Sequence, residues 1–129
     1  EIAAVLHDIG IHICEQKYGN CDGRNQELEG PAVAKAILEN IMGSEADEAF
    51  VGRVCYLIGH HHTYTGVTGM DYQLLIEADF LVNAFEDGLP EENIRNVRAN
   101  LFKSEAGKKL LDEIFALQTS ACIVRAAWQ

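Results

Sequence analysis

Four apolar residues at helical spacing, Ile2, Val5, Leu6 and Ile9, frame a histidine and an aspartate, His7 and Asp8, and the run is cut short by Gly10. One face of such a helix is apolar while Ala3, Ala4, His7 and Asp8 take the other sides, so the pattern predicts a short helix buried nearly all round. An imidazole beside a carboxylate is costly to bury unless both are hydrogen-bonded or share a cation, and Gly10 leaves the pair at a mouth rather than deep in a core. A metal site is the simplest reading of that stretch.

The same helical period organises most of the chain beyond Gly10. Residues 11–26 lose it, and the turn residues from Tyr18 to Gly23 make the segment a loop with one helical turn near Ile13. A loop of that length either covers the mouth or is a surface excursion. From Leu28 a helix is expected, with Pro31 in its first turn and a stripe of Val33, Ile37 and Ile41 beside Ala34 and Leu38. The next opens at Ser44 with Asp47 three residues on, a capping-box-like start, and carries Phe50, Val54, Leu57 and Ile58 toward His61. After a loop from Thr63 to Gly69, Asp71 caps a helix from Tyr72 to about Glu86, with Leu74, Leu75, Ala78, Leu81, Val82 and Phe85 as its apolar face. Gly88 ends it, Pro90 with Glu91 and Glu92 opens a short helix to about Leu101, and Ser104 caps a last one through Leu110, Leu111, Ile114, Phe115 and Leu117. That helix breaks near Thr119 and Ser120 before Ala121 to Trp128. With no repeat and no strand-like alternation, the fold class is all-α, a compact helical bundle.

A length of 129 residues and 48% hydrophobic content suit one domain with a real core. Ten basic residues against 20 acidic ones give a formal charge of −10, which repels nucleic acid in the absence of a basic cluster. No apolar run is long enough for a membrane span, and no signal peptide is visible. The four cysteines lack C-x-x-C spacing. Cys55 and Cys122 sit in apolar helical patterns and read as reduced core residues, whereas Cys14 and Cys21 approach across the loop and would need an oxidising compartment to pair. The chain reads as cytoplasmic.

The run Leu6-His7-Asp8-Ile9-Gly10 resembles the signature of the HD-domain superfamily, all-helical metal-dependent phosphohydrolases in which a His, an adjacent His-Asp pair and a distant Asp bind a divalent metal. An apolar helix ending in His60-His61-His62 comes next in family order. Then comes Ile76-Glu77-Ala78-Asp79-Phe80-Leu81-Val82-Asn83, which looks like the family's terminal Asp segment. The likeness runs from Glu1 to about Phe85 and implies a single HD-like domain over residues 1–129, lacking the amino-terminal helix or helices that carry the family's first histidine. It implies His7, Asp8 and Asp79 as ligands, with His61 and His62 matching the His-His pair of multi-metal relatives, and a divalent ion such as Mn, Fe, Mg, Zn, Co or Ni. Those relatives also carry a histidine four residues before a glycine at the start of the preceding helix, where this chain has Gln26 before Gly30. A centre short of a ligand is expected to hold metal weakly.

Residue by residue, bland readings stand beside these. His7 alone equally fits a hydrogen bond to a backbone carbonyl. Asp79, flanked by Leu75 and Val82, suits a buried salt bridge or cap as well as a cation, with Asn83 one turn on to hold it. Stepping from Val54 through Leu57 and Ile58 puts His61 on the buried face, His62 at its edge and His60 turned away, so His61 is a ligand, a phosphate-binding group or a satisfied core histidine. His12 is a phosphate donor or an exposed histidine. Glu27 and Glu29 are acid candidates at the mouth, or compensate a helix dipole.

The resemblance implies hydrolysis of a phosphomonoester or phosphodiester, nucleotides included, with Asp8, His61 and Glu29 as the catalytic set and a small phosphorylated molecule as substrate. Serine and cysteine hydrolysis are disfavoured, because no G-x-S-x-G run occurs and no cysteine is placed beside a histidine. The alternative is a catalytically incomplete HD-fold module that regulates or binds a ligand, which Gln26 and the absent upstream histidine favour. A purely structural helical domain would leave His7, Asp8, His61 and Asp79 converging without cause.

Overall fold

In the computed structural model residues 1–117 are described, and every regular element among them is helical. Two compact units appear, residues 1–68 and residues from Gly69 onward. The fold is therefore all-α. No helix among the described residues is long and apolar enough to cross a membrane.

The first unit holds α1 (Ile2–Leu6), α2 (Ile11–Tyr18), α3 (Gly23–Met42), a 3-10 turn (Gly43–Glu45) and α4 (Glu48–Ile58). Three boundaries differ from the expected ones. The segment 11–26 is not a loop, since α2 occupies half of it and ends on Gly19 in the left-handed region at φ 69°. Only Cys14 of α2 is buried, so its sequence carries no apolar period to read. Helix α3 starts at Gly23 rather than Leu28, because the Asp22 side chain accepts from Asn25 N at 3.0 Å and caps it. Pro31 thus falls in the helix interior, where its missing N–H forfeits one hydrogen bond, and Glu27 and Glu29 lie beyond the first turn, which has no acidic residue. Ser44 caps nothing. Asp47 caps α4, accepting from Ala49 N at 2.8 Å and Phe50 N at 3.3 Å.

Helix α3 packs against α2 and α4, and α1 packs against α4, around Ala3, Cys14, Ala34, Leu38, Val51, Val54, Leu57 and Ile58. Helix α1 is not buried all round: Ala3 is covered, while Ile2 is 43% and Val5 79% exposed. Gly10 does not act as a left-handed stop, for its φ of −77° suits any residue. Its role is steric. A Cβ there would meet Gly30 N at 2.9 Å and Gly30 Cα at 3.0 Å, and a Cβ on Gly30 would meet Ile58 Cγ2 at 2.8 Å. Two glycines let the His7-Asp8 turn and α4 close on α3 from either side.

The second unit holds α5 (Met70–Glu86), α6 (Glu91–Asn100) and α7 (Glu105–Ile114) around Leu81, Ala84, Ile94, Phe102, Leu111 and Leu117. Ser104 caps α7 as expected, accepting from Gly107 N. Helix α5 starts two residues earlier than Asp71 would place it, with Gly69 at its cap, and its buried face is Tyr72, Leu75, Ile76, Glu77, Leu81 and Ala84. The expected face is turned: Leu74, Val82 and Phe85 are 44%, 57% and 69% exposed. What turns it is Glu77, a carboxylate 2% exposed inside the apolar stripe. Its oxygens accept from Gln73 Nε2 at 2.7 Å, Lys103 N at 2.6 Å, Ser104 N at 2.9 Å and the Ser104 hydroxyl. A Cβ at Gly107 would overlap its Oε2, so glycine lets the α7 backbone close over the acid.

Cys14, Cys21 and Cys55 are free thiols. Cys14, expected in a loop, is fully buried, whereas Cys55 is partly covered and donates to Pro31 O at 3.4 Å. Burial pushes both thiols up. Cys122, the break at Thr119 and Ser120 and the helix from Ala121 to Trp128 lie outside the described residues.

Candidate metal centre

His7 and Asp8 come after α1 in a tight turn closed by Ile9 N to Leu6 O at 3.0 Å and Ile11 N to Asp8 O at 3.0 Å. His61 and His62 occupy the equivalent place after α4, in a turn closed by His60 N to Leu57 O at 3.2 Å and Thr63 N to His60 O at 2.8 Å. Both pairs thus leave a helix carboxy-terminal end. Adjacent residues on a continuous helix diverge by about 100°, and a turn relaxes that constraint.

The hydrogen bonds assign the tautomers of two rings. His7 Nδ1 lies 2.7 Å from Ala4 O, and His61 Nδ1 lies 2.7 Å from Ile58 O. A carbonyl oxygen only accepts, so each Nδ1 carries the hydrogen and each neutral ring presents Nε2 as a lone pair. Those lone pairs meet an anion. His7 Nε2 is 3.2 Å from Asp8 Oδ2 and His61 Nε2 is 3.7 Å from Asp8 Oδ1. Acceptor facing acceptor at that range is unfavourable unless a positive charge lies between them, either a metal ion or a proton on a ring.

Asp8, His61 and His62 offer ligand atoms that all lie within 4.8 Å of one another. Ligands about 2.1 Å from one ion stand roughly 3–4 Å apart, so a small side-chain adjustment closes the set. Imidazole with carboxylate suits a divalent first-row ion. The His7 ring stands edge-on to His61 with centroids 5.3 Å apart, and the His61 and His62 centroids are 4.1 Å apart. His61 is fully buried whereas the Asp8 side chain is 47% exposed, so the group has a closed floor and an open mouth.

Helix α3 holds His62. Glu27 Oε1 accepts from His62 N at 2.9 Å and from the Thr63 hydroxyl at 2.9 Å, and its Oε2 is 3.2 Å from the same hydroxyl. The His62 ring lies over Gly23, where a Cβ would come within 2.7 Å of Cγ, and its Nε2 is 3.5 Å from Gln26 Oε1. The sequence pattern offers Glu27 only as an acid at the mouth or a dipole partner and attaches no meaning to Gly23. A contact across 35 positions leaves no local pattern to find.

The remaining candidates have partners of their own. His60 turns away, donating Nδ1–H to Tyr56 O at 2.7 Å and stacking on the Tyr56 ring at 4.1 Å. His12 is exposed on α2 and bonds Gln16 Nε2 at 3.0 Å. Glu29 accepts from Lys17 Nζ at 2.7 Å and Tyr18 OH at 2.6 Å, bracing α2 to α3. The Lys17 ammonium, then the Tyr18 hydroxyl, hold its carboxyl below the usual range, so it is ionised at neutral pH, a state that fits the brace and lends the catalytic role no support. Asp79 belongs to α5 of the second unit, where Asn83 Nδ2 donates to its Oδ1 at 3.0 Å. No family model, no curated protein and no solved structure matches this chain.

Proposed function

We propose that the chain is a metal-dependent phosphohydrolase of the HD-domain type that acts on a phosphomonoester or phosphodiester, a nucleotide among the candidates. The observation that carries the reading is the convergence of Asp8, His61 and His62, whose ligand atoms all lie within 4.8 Å of one another. That donor set fits a divalent ion held by Asp8, His61 and His62, to which the resemblance adds His7. When bound, such an ion acidifies a water and draws charge from a phosphoryl oxygen. The chain's own residues do the rest. Ala4 O and Ile58 O keep both rings in the tautomer that offers Nε2. Asp8, half-exposed at the mouth, is the group within reach of the incoming phosphoester and takes the proton released there. A cytoplasmic location agrees with the three free thiols.

One observation favours the alternative, a catalytically silent HD-type module. Gln26, which stands where multi-metal relatives carry a histidine, is 7% exposed and ties its Nε2 to Cys21 O at 2.6 Å. It is a fixed neutral amide. Metal analysis after loading with Mn, Fe, Co, Ni, Zn or Mg, followed by assay on p-nitrophenyl phosphate and bis(p-nitrophenyl) phosphate beside Asp8→Asn, separates the readings. Weakly held metal, with turnover lost in Asp8→Asn, is expected. Metal without turnover selects the silent module, and neither metal nor turnover overturns the metal-centre reading.

A further inference from the structure

We infer that Glu27 and Gln26 are positioning residues for His62, fixing its backbone and its tautomer so that the ring offers Nδ1, not Nε2, to the centre. The inference rests on the metal-centre reading above and adds to it how the third ring is set.

Two separate holds act on one residue. Glu27 grips the main chain, with His62 N and the Thr63 hydroxyl both donating to its carboxylate, so the turn after α4 is pinned to α3. Hydrogen bonds to a charged acceptor are shorter and roughly twice as strong as neutral ones, which makes this a firm tie on the turn that carries both histidines. Gln26 grips the ring. Its amide orientation is settled by Cys21, whose carbonyl at 2.6 Å must face the NH₂ and not the oxygen. Gln26 Oε1 is thereby turned toward His62 Nε2, 3.5 Å away at the outer edge of hydrogen-bond distance. An acceptor there favours the hydrogen on Nε2 and leaves Nδ1 as the lone pair. His7 and His61 are set the opposite way by Ala4 O and Ile58 O. Gly23 completes the seat, because any larger residue would occupy the space of the ring.

The test uses the whole chain with cobalt(II) as probe and imidazole ¹⁵N spectra of the metal-free protein. Glu27→Ala should weaken cobalt binding by about tenfold or more, the usual consequence of removing a group that orients a ligand. Glu27→Gln, whose amide oxygen still accepts from His62 N and Thr63, should restore most of it. In the spectra His62 should be the ring with hydrogen on Nε2, and Gln26→Leu should relax it toward a mixture while His7 and His61 stay unchanged. Cobalt binding in Glu27→Ala equal to the parent, or a His62 tautomer unmoved by Gln26→Leu, overturns the inference. If the parent chain takes up no cobalt, the metal-centre reading falls, and the spectra of parent and Gln26→Leu decide the positioning role by themselves. Should Glu27→Ala fail to fold, Gln26→Leu carries the test.

Discussion

Two carboxylates, Asp8 in the first unit and Glu77 in the second, occupy opposite electrostatic situations. Glu77 is 2% exposed, and each of its oxygens meets a hydrogen: two backbone N–H groups, a hydroxyl and a side-chain amide converge on it. Asp8 is half-exposed, and its oxygens face the lone pairs of two imidazoles whose hydrogens are spent on their own backbone carbonyls. A buried charge surrounded by donors is finished; it needs nothing more than the fold supplies. A half-exposed carboxylate beside two imidazole nitrogens calls for a positive charge between them, a metal ion or a proton on a ring. The comparison teaches that direction of donors, more than burial or charge, separates a structural acid from a candidate site.

The largest expected effect comes from breaking the finished acid. Glu77→Ala strips the acceptor from Lys103 N, Ser104 N, the Ser104 hydroxyl and the Gln73 amide, and buried donors left unmet should lower stability by about 3 kcal/mol in urea unfolding. Asp8→Asn under chelator should instead be neutral or slightly stabilising, because the new NH₂ donates to an imidazole lone pair. Equal losses at the two positions would erase the contrast.

Next in size is His61→Ala, which removes the fully buried ring of the cluster. Metal affinity and any phosphoester turnover should fall by well over tenfold, since loss of a directly binding group typically removes a few kcal/mol. Metal content measured on the assayed sample shows whether the ring binds the ion or only fills the floor. Undiminished metal with normal turnover would return His61 to the class of satisfied core histidines.

The same division separates what is legible in the sequence from what is hidden there. Helices with a wide apolar stripe are readable, as are local stops and caps such as Gly88 and Ser104, because the residues responsible lie within one turn of their effect. The phase of the triple histidine is readable too, since Leu57 and Ile58 are buried and His61 continues their face. Helix α2 is hidden because it buries one residue. The face of α5 misleads because Glu77 is made tolerable inside by Lys103 N and Ser104 N, 26 and 27 positions away. Glu27 stays undecided in the sequence for the same reason, its partners His62 and Thr63 being 35 and 36 positions distant. Gly10 stands out in the sequence as a helix stop, while its function is the backbone contact with Gly30.

A smaller effect is expected from acid. Burial pushes the Glu77 carboxyl up, but hydrogen bonds from Ser104, Lys103 and Gln73 outweigh it and hold the group below its ordinary value of 4.5. The Arg98 guanidinium lowers Asp112 in the same way. A carboxyl lowered in the folded state contributes stability that is fully present above its unfolded value and fades as pH falls through the folded one. Unfolding free energy of the metal-free protein should therefore hold level down to about pH 4.5 and decline below it. In Glu77→Gln the decline should be shallower. A parallel fall in both proteins would show that Glu77 titrates alike in folded and unfolded chains.

The smallest effect should come from His60→Ala, and it bears on the comparison by asking whether the triplet behaves as one group. His60 donates to Tyr56 O and stacks on the Tyr56 ring, itself 37% exposed and overlain by the Arg53 guanidinium at 5.2 Å. That stack runs along the outer side of α4, whereas His61 and His62 share their ring contact on the other. A solvent-side stacking contact of this kind is worth only a few tenths of a kcal/mol beyond the area it covers, so the substitution should change stability by about 0.5 kcal/mol or less. Cobalt affinity should stay within about twofold of the parent, since the ligand atoms that converge are those of Asp8, His61 and His62. The decisive quantity is the ratio of the His61→Ala loss to the His60→Ala loss on identically prepared samples. A ratio near one would mean that the turn after α4 rotates in solution and that His60 shares the place the geometry gives to His61 alone.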